Sequence, residues 1–126
     1  MIVLDYSDTR PIYEQIVDKF QTYILKGVLK PDTQLMSVRN LAMELSINPN
    51  TIQKAYAELE RQGFIYTIKG RGNFVRYDRR LLEIKKRELI EKIKDILAEA
   101  EELNISKEEL LSEAGQKATE GDLGND

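Results

Sequence analysis

Residues 37–63 read SVRNLAMELSINPNTIQKAYAELERQG, and the spacing inside this stretch decides the fold. Val38, Leu41, Leu45, Ile47, Ile52 and Ala55 are apolar, and Ala42 is small. Ser37 suits the cap of a helix running to Leu45, because its hydroxyl can accept from a first-turn amide that has no partner within the helix. Ser46-Ile47-Asn48 then forms a three-residue turn. Asn48 caps a second helix that starts at Pro49, where a missing amide hydrogen costs nothing. The pattern is a helix-turn-helix: Ala42 lets the two helices cross closely, and Ile47 plugs the angle between them. Gly63 ends the second helix, with Phe64 placed to touch Leu59 in a Schellman closure.

Downstream, Phe64–Ile68 and Phe74–Tyr77 are β-rich, and Lys69-Gly70-Arg71-Gly72-Asn73 joins them, which predicts a hairpin. A hairpin directly after the second helix makes the unit a winged helix. Upstream, residues 11–26 carry Ile12, Tyr13, Ile16, Val17, Phe20, Tyr23 and Ile24 at three- and four-residue spacing, an amphipathic helix facing a core. Pro11 suits its first position and Gly27 the position just past its end, with Val28 set to close on Tyr23. Residues 29–33 read as a turn, and Leu35-Met36 as a short strand. Residues 79–103 form one long charged helix in which Leu82, Leu89, Ile93, Ile96, Ala100 and Leu103 follow heptad-like steps, widened by Ile90 and Leu97. Asn104-Ile105 breaks it, and Ser106-Lys107-Glu108-Glu109 is a capping box for a short helix ending near Ala114. From Gly115 the composition predicts a disordered tail. The expected organisation is therefore a winged helix-turn-helix over 1–77, a helical dimerisation region over 78–114 and a tail over 115–126: mainly α with a small β-hairpin.

The 126 residues contain neither cysteine nor histidine, which excludes disulfides, thiolate zinc sites, thiol nucleophiles and the commonest general base. No cofactor or metal is called for. No run approaches the ~18 apolar residues of a membrane span, and the first residues are too short an apolar run for a signal peptide, so a soluble cytoplasmic protein is expected. The formal charge is −3, but it is unevenly placed. Residues 26–80 hold ten Lys and Arg against five Asp and Glu, whereas residues 81–126 hold seven against thirteen. Binding responds to the local field of one face, so the basic half is where a polyanion would dock.

The segments Leu35–Ala42, Asn48–Tyr56, Leu59-Glu60, Gly63 and Gly70–Val75, taken in this order, closely resemble the GntR family of bacterial transcription regulators. The resemblance spans residues 8–77. The Asn-Pro-Asn-Thr start of the second helix and the short C-terminal region resemble its YtrA-type branch. It implies a homodimeric regulator, a repressor, that binds double-stranded DNA at a pseudo-palindromic operator with half-sites about one helical turn apart. Three positions depart from the usual pattern: Asp32 and Ser46 stand where glycine is common, and Met36 where proline is common. A left-handed Ser46 would cost roughly 1–2 kcal/mol.

On this reading the amino end of the second helix enters the major groove, presenting Asn48, Asn50 and Thr51. Asn48 serves equally well as a cap alone. Gln53 and Lys54 lie one turn on, where a base and a phosphate are in reach, but where a solvated surface is an equal alternative. Arg39 sits in the first turn of the preceding helix, next to the positive end of the dipole, a position that suits a cation only if an external anion is supplied. The resemblance also makes this arginine a DNA contact. Lys69, Gly70 and Arg71 at the wing tip suit a minor groove and close phosphate approach. Tyr56 is expected to pack rather than to touch DNA. Leu82, Leu89, Ile93, Ile96, Leu97, Ala100 and Leu103 are the expected dimerisation residues, the alternative being a tail folded back on its own winged domain. A small-molecule effector, if there is one, would lie at the dimer interface or against the winged domain, since two short helices cannot enclose it. The competing function is a winged helix used as a protein-interaction adaptor, which would show exposed apolar residues on the second helix.

Overall fold

Seven elements follow one another in the computed structural model, which describes residues 2–124: α1 (Ile12–Leu25), α2 (Val38–Leu45), α3 (Pro49–Gln62), β1 (Ile65–Ile68), β2 (Gly72–Val75), α4 (Arg79–Glu102) and α5 (Lys107–Gly124). They fall into two units, Met1–Glu83 and Ile84–Asp126. The expected boundary lay at residue 77. The first unit instead takes in the first turn of α4, because Leu81 is buried in its core.

In the first unit the helix ends form where the capping chemistry places them. The Ser37 hydroxyl accepts from the Asn40 amide at 3.1 Å, and Asn48 Oδ1 accepts from the Asn50 amide at 2.8 Å. Pro11 stands one residue before α1 rather than inside it, and its carbonyl takes the Glu14 amide at 3.1 Å. α1 and α3 both close as Schellman turns, the Val28 amide donating to the Tyr23 carbonyl and the Phe64 amide to the Leu59 carbonyl, each at 2.9 Å. Ser46 is left-handed, φ +56°, and the Ile47 amide reaches back to the Ala42 carbonyl at 3.0 Å. The helix-turn-helix therefore uses the strained serine that its sequence implied.

Ile16 and Ile24 of α1, Ile52 and Leu59 of α3, and Ile65 and Val75 of the hairpin are sealed from solvent. Tyr56 is buried among them as expected, edge-on to Phe20 at 5.7 Å, with its hydroxyl donating to the Met36 carbonyl at 2.7 Å. The N-terminal segment is fastened by buried Gln15, whose amide both accepts from and donates to the Asp5 backbone at 3.0 Å, and Ile2 joins the core.

β1 and β2 pair antiparallel, with Ile65 opposite Val75 and Ile68 opposite Gly72. The connection is three residues, Lys69–Arg71, shorter than the five expected, because Gly72 and Asn73 join the strand. Leu35-Met36 is not a strand. The bridge falls at Gln34, opposite Phe74, and the Asp32 and Leu35 amides donate to the Val75 and Asn73 carbonyls at 2.7 and 2.8 Å. The turn before α2 thus runs along the free edge of β2.

In the second unit the Ser106 hydroxyl caps α5 through the Glu109 amide at 3.1 Å. The sequence predicts this helix to stop near Ala114 and a disordered tail to follow over 115–126. α5 instead continues to Gly124. The stretch includes Gly115, Gly121 and Gly124; a glycine inside a helix costs only ~1 kcal/mol, and Gln116, Lys117, Ala118 and Glu120 are residues of good helix propensity or close to it. Residues 125 and 126 lie outside the described residues. No helix among the described residues is long and apolar enough to cross a membrane, and no group of side chains there could hold a metal ion.

Candidate nucleic-acid interface

α3 is divided sharply between two faces. Ile52, Ala55, Tyr56 and Leu59 point into the core, so the 3.6-residue period turns Asn50, Gln53 and Lys54 outward on the opposite side. Thr51 lies between the two and is half-buried. Asn48 acts as the cap: its side-chain oxygen is engaged by the Asn50 amide, leaving only its NH₂ group for another partner.

Lys54 is held in an unexpected way. Its ammonium lies 4.0 Å from the centroid of the Tyr13 ring, a cation–π contact between α3 and the start of α1. Pro11, Ile12 and Tyr13 face Asn50, Thr51 and Lys54 across a shallow groove of about 410 Å³. The sequence separates Tyr13 from Lys54 by forty-one residues, so nothing local could have paired them.

The cations of the basic half divide by partner. Arg61 is bound to Glu58, and that guanidinium holds the Glu58 carboxyl below the usual carboxylate range. Arg80 is bound to Asp78 with the same effect, and Arg76 lies over the Tyr66 ring at 5.5 Å. The side chains of Arg39, Lys69 and Arg71 are exposed and have no ion-pair or ring partner among the described residues. Lys26, Lys30 and Arg79, away from α3 and the wing tip, also lack one. Arg39 accordingly stands in the first turn of α2 with no internal carboxylate to offset the helix dipole.

The wing tip leaves its backbone open on one side. Gly70 adopts φ +80°, and a Cβ there would project into open space, so its side of the turn is bare. The Arg71 amide closes the turn on the Ile68 carbonyl at 2.9 Å. Gln34 reaches across from the turn before α2 and donates its side-chain amide to the Arg71 carbonyl at 2.8 Å. Gly72 makes room for it: a Cβ at that position would meet Gln34 Nε2 at 2.9 Å. The base of the wing is stiffened by Tyr66, stacked on Phe74 at 5.6 Å, with its hydroxyl donating to Asp32 at 2.7 Å. That hydrogen bond raises the Tyr66 pKa above the usual tyrosine value, with slight desolvation acting the same way.

Residues 12–75 match the family of bacterial regulatory proteins named gntR. The chain belongs to the GntR family. The HTH-type transcriptional repressor YtrA of Bacillus subtilis (strain 168) is 40% identical over 112 residues, covering 87% of this chain and 86% of that protein. A GntR family transcriptional regulator from Listeria monocytogenes superposes with a TM-score of 0.71 at 37% identity, over 90% of this chain and 98% of that one. The DNA-binding domain of AraR, solved in complex with operator ORE1, superposes with a TM-score of 0.51 at 28% identity, over 60% of this chain and 92% of that one. This GntR protein is therefore a transcription regulator of the YtrA type rather than an enzyme, with the mainly helical winged architecture its sequence implied.

Within the GntR chain the residues expected to contact DNA occupy one unit and three short stretches: the start of α2, the start of α3 and the wing tip. The sequence did not single out Tyr13 or Gln34, which position Lys54 and the wing. The only trace it offered of Gln34 was Gly72, a glycine inside a strand, which often marks close approach by another group.

Proposed function

We propose that this chain is a homodimeric repressor that reads a pseudo-palindromic operator in double-stranded DNA. The observation that carries the reading is the partition of cations. Arg39, Lys69 and Arg71 are exposed without protein partners on the helix-turn-helix and wing, whereas neighbouring Arg61, Arg76 and Arg80 are engaged. Asn50 and Gln53 present amide groups to base edges, Thr51 presents a methyl and a hydroxyl, the NH₂ of Asn48 faces a phosphate, and the Lys54 ammonium, seated on the Tyr13 ring, keeps N–H donors for another. Gly70 lets the wing backbone approach the sugar–phosphate chain. None of the large exposed hydrophobic residues lies on α3, which speaks against an adaptor that docks proteins there.

The homodimer rests on α4. Leu82, Leu89, Ile93, Ile96 and Leu103 are about half exposed or more, reaching 64% at Leu103, an apolar stripe that a second copy would cover. Leu97 is half-buried, and Ala100, expected at the interface, is already 5% exposed in the single chain, its carbonyl taken by the Ile105 amide. Ala100 is thus removed from the stripe. The repressor sign of the response is supported by the YtrA relative.

Fluorescence anisotropy with a selected palindrome and scrambled duplex, over a salt series, tests the reading. A wide gap between the two DNAs, a steep salt slope and a loss of ~1–3 kcal/mol in Arg39→Ala are expected. Weak, equal binding to both duplexes, unaffected by Arg39→Ala, would falsify it.

A further inference from the structure

A second concavity lies in the first unit, between α1, the turn before α2 and α2 itself. Its volume is about 610 Å³, within the ~300–1,000 Å³ usual for small-molecule sites. The floor is apolar and drawn from the core: Ile2, Phe20, Leu35 and Leu41. The rim is polar. Ser37, Asn40 and Glu44 stand along it, and the last two are one helical turn apart on the same face of α2. Glu44 is the one charged side chain among the lining residues, and it has no hydrogen-bond or ion-pair partner among the described residues. An apolar floor with a single free carboxylate at its edge is chemically complementary to one class of molecule, a compact apolar body carrying an ammonium group.

We propose that this cavity is a binding site for a small aromatic or aliphatic amine, its hydrocarbon seated on Phe20, Leu35 and Leu41 and its ammonium paired with Glu44. The site is complete within one chain and needs neither the dimer nor the operator. A molecule seated there lies against the turn of α2 that carries Arg39, since Asn40 follows Arg39 directly and Ser37 caps the same turn. The Met36 carbonyl at the cavity edge is also tied to α3 through the Tyr56 hydroxyl. Occupancy would therefore press on both helices of the helix-turn-helix.

The test uses the full chain and dansylcadaverine, a fluorescent aromatic sulfonamide with a primary amine, beside its N-acetyl derivative, which lacks the charge. Saturable binding at one site per chain, with a blue-shifted emission, is expected for the amine, and at least tenfold weaker binding for the acetylated probe. Glu44→Gln is expected to weaken the amine at least tenfold while leaving the acetylated probe unchanged. Asn40→Trp, which fills the mouth from an exposed helix position, is expected to weaken both. Circular dichroism and the thermal midpoint establish that each variant folds, and Glu44→Gln with the acetylated probe decides the matter should Asn40→Trp not fold. No saturable binding, or amine binding that Glu44→Gln leaves intact, overturns the proposal.

Discussion

α3 and α4 are both amphipathic helices, and they resolve their apolar faces in opposite ways. On α3, Ile52, Ala55 and Leu59 are completely buried, and the outward face carries only polar groups, a small alanine and ion pairs. On α4, Leu81 alone sinks into the winged core, while Ile93 and Ile96 remain 49% and 55% exposed. The first helix is completed by its own chain, since α1, α2 and the hairpin surround it. The second has a stripe of the right period with nothing of its own unit over most of it. A hydrophobic period therefore states that a face needs covering, and the number of elements folded around it decides whether the chain supplies the cover.

The comparison breaks most visibly in the core. Ile52→Ala is expected to lower stability by ~2–5 kcal/mol in urea denaturation, by the same amount at every protein concentration, because its packing lies within one chain. Ile93→Asp is expected to leave the winged unit folded by circular dichroism and to shift sedimentation equilibrium toward monomer. A loss of winged-unit structure in Ile93→Asp would instead mean that α4 is needed to complete that core.

Tyr56 sharpens the same contrast, because it is polar yet sits on the buried face of α3. Tyr56→Phe removes the bond to the Met36 carbonyl and is expected to cost ~1 kcal/mol at neutral pH. Burial raises the Tyr56 pKa above its ordinary 10.0, so the folded state holds the phenol proton that the unfolded state releases. This contribution is fully present below pH 10 and is lost as pH rises through the folded value. Wild type should therefore lose stability more steeply above pH 10 than Tyr56→Phe, as read from urea midpoints across that range.

The smallest effect belongs to the turn that joins α2 to α3. Ser46→Gly relieves left-handed strain of ~1–2 kcal/mol and returns ~0.5–1 kcal/mol as unfolded-state entropy, a net stabilisation of about 0.5 kcal/mol in the same assay. Asp32 has a similar φ of +65°, yet Asp32→Gly is expected to bring no gain, because the Asp32 carboxylate accepts the Tyr66 hydroxyl.

What the sequence made legible was whatever depends on near neighbours. Ser37, Asn48 and Ser106 cap because each lies two or three residues from the amide it satisfies, and Gly27 and Gly63 end their helices by conformation alone. The exposed face of α3 followed from the period of its buried one. Contacts spanning long stretches of chain were not legible: Tyr13 under Lys54, Gln34 over the wing, and the cavity that Ile2 helps to floor. Their geometry depends on how helices cross. The length of α5 was not legible for a different reason, since glycines and a polar composition weaken a helix without forbidding it.

The reach of Gln34 to the wing bears on how this hairpin can change over evolutionary time. Positions 34 and 72 are coupled: a side chain at 72 drives into the Gln34 amide and forfeits its bond to the Arg71 carbonyl, as well as straining a backbone held at φ +121°. If Gln34 is lost first, the steric part of that penalty disappears and only the backbone strain remains. The Gln34 side chain can swing aside at the cost of that one bond, so the strained backbone at residue 72 is the larger barrier, and changing residue 34 first only spares a lineage the two losses in one step.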